Sequence, residues 1–362
     1  MISFARGVPA PECLPVEEFA DCARAVIERD GETVLNYGPV GGYGPLREWI
    51  AERHGVAPGR VLVTNGSLPG LNLVLGYFGD QGRILVEAPT YDRPLTIAAR
   101  VGAEVHTIPQ DEHGIDVDAL EQELRRDGSP AFLYVLPTFQ NPSGRTLPVE
   151  RRRRLIELAR EYGLTVLEDD PYGRVRFDGE ALPTLFELDG GEHVLYSSSF
   201  SKIVAPGVRV GYFVLPAEVA AALERVATNM YLTPALVGQA TVYEFIRRGS
   251  LEQNIERVTD LLRARRDAML ETLEQELPDL RTSRPEGGYF LWVDLPESVN
   301  AGELLERAEA AGVTYVKGAD FFPAGSGEGR SAARLAFSYP SPDEIREGVS
   351  RLAGLLAPAM PV

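Results

Sequence analysis

The chain has 362 residues, a formal net charge of −17, 44% hydrophobic and 25% charged residues, which is enough apolar material for a large core without disulfide staples. An acidic balance of this size argues against nucleic acid or an anionic membrane as partner, and no apolar run reaches the roughly 18 residues that a membrane span requires. Two cysteines, Cys13 and Cys22, show no metal-ligand spacing and the first residues lack a signal-peptide apolar core, so a reducing cytoplasm is expected.

Prolines 9, 11 and 15 mark an extended N-terminal arm that runs into a helix from Pro15 to Arg29. Leu35 to Gly44 is a glycine-rich loop that holds Tyr37 and Tyr43 and is incompatible with regular structure. Beyond it, short apolar runs predict strands at Val61–Thr64, Ile84–Glu87, Glu104–Ile108, Phe132–Leu136, Thr165–Asp169, Val194–Ser197 and Val208–Val214. Amphipathic helices fall between them, clearest at Gly66–Tyr77, Asp116–Arg126 and Pro148–Tyr162. This alternation predicts an α/β fold: a large domain with a mostly parallel seven-stranded sheet sandwiched by helices. Helices then dominate from Ala217 to Glu276, where Leu251, Ile255, Val258, Leu262, Met269 and Leu273 share one face. The tail reads as strand Gly288–Leu295, helix Ala301–Ala311, strand Arg334–Phe337 and helix Pro342–Leu356. It forms a smaller α+β domain with the arm, so the expected divisions are 1–35, 36–255 and 256–362.

Ligand chemistry in such folds gathers at the carboxyl ends of the strands, and several chemically pointed residues lie there. The chain has only two lysines, Lys202 and Lys317, among many arginines. An arginine cannot stand in where a neutral amine must attack a carbonyl. Lys202 sits in Ser197-Ser198-Ser199-Phe200-Ser201-Lys202 just ahead of Arg209, whereas Lys317 ends a strand without such company. Gly66-Ser67-Leu68 opens a helix directly after a strand, where free N–H groups and the positive end of the helix dipole favour a phosphate; the plain alternative is that Ser67 caps its own helix. Ser199, Ser201 and Arg209 could add hydroxyls and a charge to the same dianion. Asp169 follows a very apolar strand and needs a cation or donors there, unless Asp-Pro merely opens a turn. Asn141 precedes a proline that holds it out of the helical region, and Tyr172 follows Asp169 closely. A phosphate cup, a carboxylate for a pyridinium, donors for a phenolate and an amine for an aldehyde together describe one molecule, pyridoxal 5′-phosphate.

On these motifs the whole chain resembles the fold type I pyridoxal-phosphate aminotransferases of class I/II, nearest the 2-aminoadipate and aromatic branch that also forms the effector domain of MocR-type regulators. The resemblance implies that Lys202 binds the cofactor aldehyde and moves the proton between Cα and C4′. It implies that Asp169 keeps the pyridine nitrogen protonated, that Asn141 and Tyr172 bond the ring oxygen, and that Tyr91 stacks on the ring. Gly66, Ser67, Leu68, Ser199, Ser201 and Arg209 would hold the phosphate, joined by Tyr37 from the neighbouring subunit of a homodimer. Arg334 matches the clamp on the substrate α-carboxylate, with Asn141 beside it, and Gly7 matches the small residue that admits the substrate. The implied reaction is ping-pong transfer from an aromatic, long aliphatic or 2-aminoadipate-like L-amino acid to a 2-oxo acid, with 2-oxoglutarate the expected acceptor. The same parts serve β-lyases, racemases and oxidative deaminases. A ligand-sensing effector module is the reading from another class, but it needs a basic DNA-binding domain, which an acidic chain like this one is not expected to carry.

Overall fold

A computed structural model describes residues 1–357. Its strands are β1 (Ile2–Ser3), β2 (Val61–Thr64), β3 (Ile84–Ala88), β4 (Val105–Asp111), β5 (Gly114–Ile115), β6 (Phe132–Val135), β7 (Val166–Asp169), β8 (Val194–Ser199), β9 (Gly211–Val214), β10 (Arg281–Thr282), β11 (Phe290–Asp294), β12 (Val313–Thr314), β13 (Val316–Lys317) and β14 (Ala332–Ala336). The large sheet has the order β2-β9-β8-β7-β6-β3-β4-β5. The neighbours from β8 through β4 pair in parallel, while β9 runs against both β2 and β8. All seven expected strands form, and the two-residue edge strand β5 adds an eighth.

Strands buried on both faces read as continuous apolar runs, and the pleat sends alternate residues to opposite cores. Val61, Val63, Leu133, Val135 and Val166 enter one core, where they meet Leu46 and Ile50 of helix Gly44–Arg53 and Leu155 and Leu158 of helix Val149–Tyr162. Leu62, Phe132, Tyr134, Leu167 and Phe213 enter the other, against Leu71, Val74 and Leu75 of helix Ser67–Phe78 and Leu223 of helix Ala217–Tyr231. Each large aliphatic buried this way contributes about 1.5–3 kcal/mol. The sheet is therefore the middle of three layers, and its edge carries the connecting loops.

The expected helical stretch from Ala217 to Glu276 resolves into Ala217–Tyr231, Leu236–Arg247 and Ser250–Glu276. The long third helix buries Leu251, Ile255, Val258, Leu262, Met269 and Leu273, the face read from their spacing. The arm belongs with the tail: β1 pairs in parallel with β12, and the Phe4 carbonyl accepts from the amide of Ala336 at 2.7 Å. A four-stranded sheet β10-β11-β14-β13 completes that part.

The strand predicted from Val208 starts only at Gly211, because Pro206–Val208 is a 3₁₀ turn and Arg209 takes a left-handed conformation with φ 51°. Gly211 is held close to the next loop: a Cβ on it would lie 2.2 Å from the amide nitrogen of Ser67. The turn thus delivers Arg209 to the start of helix Ser67–Phe78 instead of continuing the ladder.

Candidate active site

At the carboxyl edge of the large sheet the loops after β2, β3, β6, β7 and β8 enclose a cavity of about 570 Å³. Its lining includes Gly7, Ser67, Leu68, Tyr91, Asn141, Asp169, Tyr172, Ser199, Ser201, Lys202, Arg209 and Arg334. Residues from the arm, the large sheet and β14 thus converge on one space. Gly66 borders it through Arg209, as its missing Cβ would lie 2.3 Å from Arg209 Nη2. Tyr37 is not in this lining and is 76% exposed.

Lys202 lies just past β8, and its Nζ donates to the Gly7 carbonyl at 2.7 Å. The amine sits 4.9 Å from the centre of the Tyr289 ring and 5.7 Å from that of Tyr172. Burial, helped by the charge of Arg334, brings its pKa down to about 8, so an appreciable neutral fraction exists near physiological pH. Lys317 instead is half-exposed and pairs with Asp320 at 3.5 Å. Gly7 has its own packing reason, since a Cβ there would come within 2.6 Å of the Phe290 ring.

Asp169 ends β7 and is 7% exposed. Its Oδ2 accepts from the Tyr134 hydroxyl at 2.7 Å, while its Oδ1 is buried with no donor among the described residues. Burial lifts the carboxyl to about 6 against the pull of the Tyr134 and Ser197 hydroxyls. A buried carboxylate oxygen without a partner is expensive, and a protonated ring nitrogen would relieve it. Tyr134 carries no motif that marks it in the sequence. The available signal was a single polar handle in an otherwise apolar buried strand, and such a hydroxyl normally finds a partner.

Arg334, on β14, is 8% exposed. It donates from Nη1 to Asn141 Oδ1 and from Nη2 to the Ala5 carbonyl, each at 2.9 Å. Its Nε is buried without an acceptor, and the guanidinium lies over the rings of Phe290 at 4.2 Å and Phe321 at 5.0 Å. Burial pulls its pKa down to about 10, so it stays cationic at neutral pH.

At the other end of the cavity Gly66, with φ 93°, is the residue that caps helix Ser67–Phe78, and no side chain caps that end. Ser67 is therefore the first helical residue and not its own cap, which leaves its hydroxyl and the first amides available. Ser199 Oγ donates to Ser201 Oγ at 2.9 Å, and Arg209 holds the Asn65 and Pro206 carbonyls at 3.3 Å. Hydroxyls, helix amides and one guanidinium at a single spot make an anion cradle. The orphaned Asp169 oxygen at mid-cavity, this cradle at one end and the unspent Arg334 donor at the other match the nitrogen and phosphate of pyridoxal phosphate and a carboxylate beside them.

A three-layer α/β fold with a lysine amine between an anion cradle and a buried carboxylate defines a cofactor enzyme acting on amino groups. The aminotransferase class I and II family signature matches residues 8–352, and the chain belongs to that family. It is a transaminase whose cofactor is pyridoxal phosphate. A 2-aminoadipate transaminase of Thermus thermophilus is 40% identical, with 99% of this chain and 91% of that protein aligned. Aromatic-amino-acid aminotransferase 1 of Thermococcus litoralis is 38% identical, with 98% of this chain and 87% of the relative aligned. In three dimensions the chain is similar to the crystal structure of the Thermus thermophilus alpha-aminoadipate aminotransferase complexed with N-(5′-phosphopyridoxyl)-L-leucine. That likeness has a TM-score of 0.94 and 39% identity over 99% of this chain and 92% of the other.

Proposed function

We propose that this aminotransferase takes the amino group of an L-amino acid with an aromatic, long aliphatic or 2-aminoadipate-like side chain. It passes that group to a 2-oxo acid, 2-oxoglutarate being the expected acceptor, in two half-reactions. The observation that carries the reading is the Lys202 amine, lowered to about 8, in one cavity with the unpartnered Asp169 oxygen and Arg334.

Bound there, pyridoxal phosphate supplies an aldehyde and a ring that withdraws electrons from the substrate Cα. Lys202 would anchor the cofactor, and its amine would take and return the proton at the substrate Cα. Asp169 holds the ring nitrogen protonated. Asn141 and Tyr172 bind the ring oxygen, and Tyr91 covers the ring. Gly66, Ser67, Leu68, Ser199, Ser201 and Arg209 grip the phosphate, and Tyr37 joins them from the second subunit of a homodimer. Arg334 binds and orients the substrate carboxylate with its charge and fork geometry. Phe290, Phe321, Val316 and Leu136 offer an apolar wall to the side chain.

A panel of amino donors, each first mixed with cofactor-loaded enzyme alone, tests this. The absorption change of the bound cofactor should occur without acceptor and reverse on adding 2-oxoglutarate, and double-reciprocal plots should be parallel. Release of ammonia or pyruvate in the first step would assign a different reaction to the same residues.

A further inference from the structure

Glu87 is a buried acid for which the reaction above has no use. It stands at the end of β3, 1% exposed, and its carboxyl is pushed up to about 8 by that burial. The groups bonded to it are amides: Leu136 N donates to its Oε1 at 2.8 Å and Gln140 Nε2 at 3.2 Å, with the Gln110 side chain also against it. A carboxyl buried away from water is costly unless its polar atoms are hydrogen-bonded, so the contacts it makes matter more than its packing.

Those contacts lead to the cavity by two routes. Gln140, itself 1% exposed, donates to the Pro89 carbonyl at 2.8 Å, and its Oε1 accepts from Ser143 N at 2.7 Å. It thereby closes the turn that presents Asn141, whose Oδ1 takes the Arg334 Nη1 donor at 2.9 Å. Pro89 begins the loop that carries Tyr91, and the next amide, Thr90 N, is bonded to the Phe321 carbonyl at 2.9 Å, beside the ring that Arg334 covers. We propose that Glu87 and Gln140 form a buried brace that sets Asn141 and Tyr91 relative to each other and to Arg334. On the functional reading above, this makes Glu87 a positioning residue for cofactor and substrate carboxylate although it touches neither.

The test uses the cofactor-loaded enzyme and the variants Glu87→Gln, Glu87→Leu and Gln140→Met. Three quantities are read: the dissociation constant of pyridoxal phosphate, the pH midpoint of its absorption band, and KM against kcat for one amino donor. Glu87→Gln keeps a neutral group that both accepts and donates, and should stay within about twofold of wild type in each. Glu87→Leu and Gln140→Met should each move the midpoint by about half a unit or more and raise KM about tenfold, because both release the hold of Gln140 on the Asn141 turn and on the loop from Pro89 to Tyr91. The double variant should be little worse than either single one, since residues acting through one chain of contacts are not additive. A folded Glu87→Leu or Gln140→Met with wild-type midpoint and KM would overturn the brace. If Glu87→Leu does not fold, Gln140→Met decides alone, being the milder change in volume. Wild-type protein that takes up no pyridoxal phosphate would count against the functional reading and not against the brace.

Discussion

At the scale of single residues the proposed chemistry turns on Lys202 and Asp169, with Lys317 as the contrasting amine. The surroundings of Lys202 and Lys317 differ as their sequence neighbourhoods do: one faces the Gly7 carbonyl inside the cavity, the other pairs with Asp320 at the surface. Lys202→Ala should abolish turnover and the cofactor's protein-linked absorption band, while Lys317→Ala should leave kcat/KM within about twofold, as surface ion pairs contribute little. A borohydride-trapped adduct mapped by mass spectrometry checks both. Asp169 gives a pH prediction. Tyr134 donates to it and so favours its charged form; removing that donor in Tyr134→Phe raises its pKa. The charged carboxylate that a protonated ring nitrogen requires is then lost at a higher pH on the way down. The acidic limb of pyridoxal phosphate affinity should therefore move up by about one unit, the equivalent of one hydrogen bond to a charged group. An unmoved limb would mean that Tyr134 only packs.

The strand ends and helix starts decide where these groups meet. The seven predicted strands of the large sheet were legible as apolar runs, because burial on both faces leaves that pattern, and helix Ser250–Glu276 was legible from its periodic face, whereas helices Gly44–Arg53 and Asp92–Val101 are not among those predicted. Less was readable where geometry depends on contacts distant in sequence. The β1–β12 pairing involves two residues on each strand, too few for a pattern. The partnership of Tyr134 with Asp169 links two strands, and the left-handed Arg209 turn interrupts a run that looks continuous. Nor does any local signal tell that Ser67 is the first helical residue behind a Gly66 cap. That cap gives a prediction. At φ 93° and with Arg209 Nη2 where a Cβ would go, Gly66→Ala should weaken pyridoxal phosphate binding about tenfold or more, through strain and displacement of the arginine. The cofactor's dissociation constant measures it, and free phosphate should be lost as a competitor in parallel.

Over the molecule as a whole, the cavity draws on segments from both ends of the chain: Ala5 and Gly7 from the arm, Asp169 and Lys202 from the large sheet, Arg334 from β14. Of the residues read from the sequence as contributing to this chemistry, Gly66 borders the cavity and Tyr37 lies outside it, 76% exposed. If it acts across a homodimer, mixing Lys202→Ala with Tyr37→Ala subunits creates one site with both intact groups per mixed dimer. Reassociated subunits should recover activity above either parent, towards about a quarter of wild type for random pairing. No gain over the parents would place Tyr37 in its own subunit's chemistry or outside it. The arm raises a related point for anyone handling the protein. Because β1 is stitched to β12 and the Gly7 carbonyl receives the Lys202 amine, trimming the first seven residues would do more than shorten a tail. It would strip the Lys202 amine of its resting partner, so a shortened preparation that is pale and inactive would report on the missing strap, not on the wrong reaction.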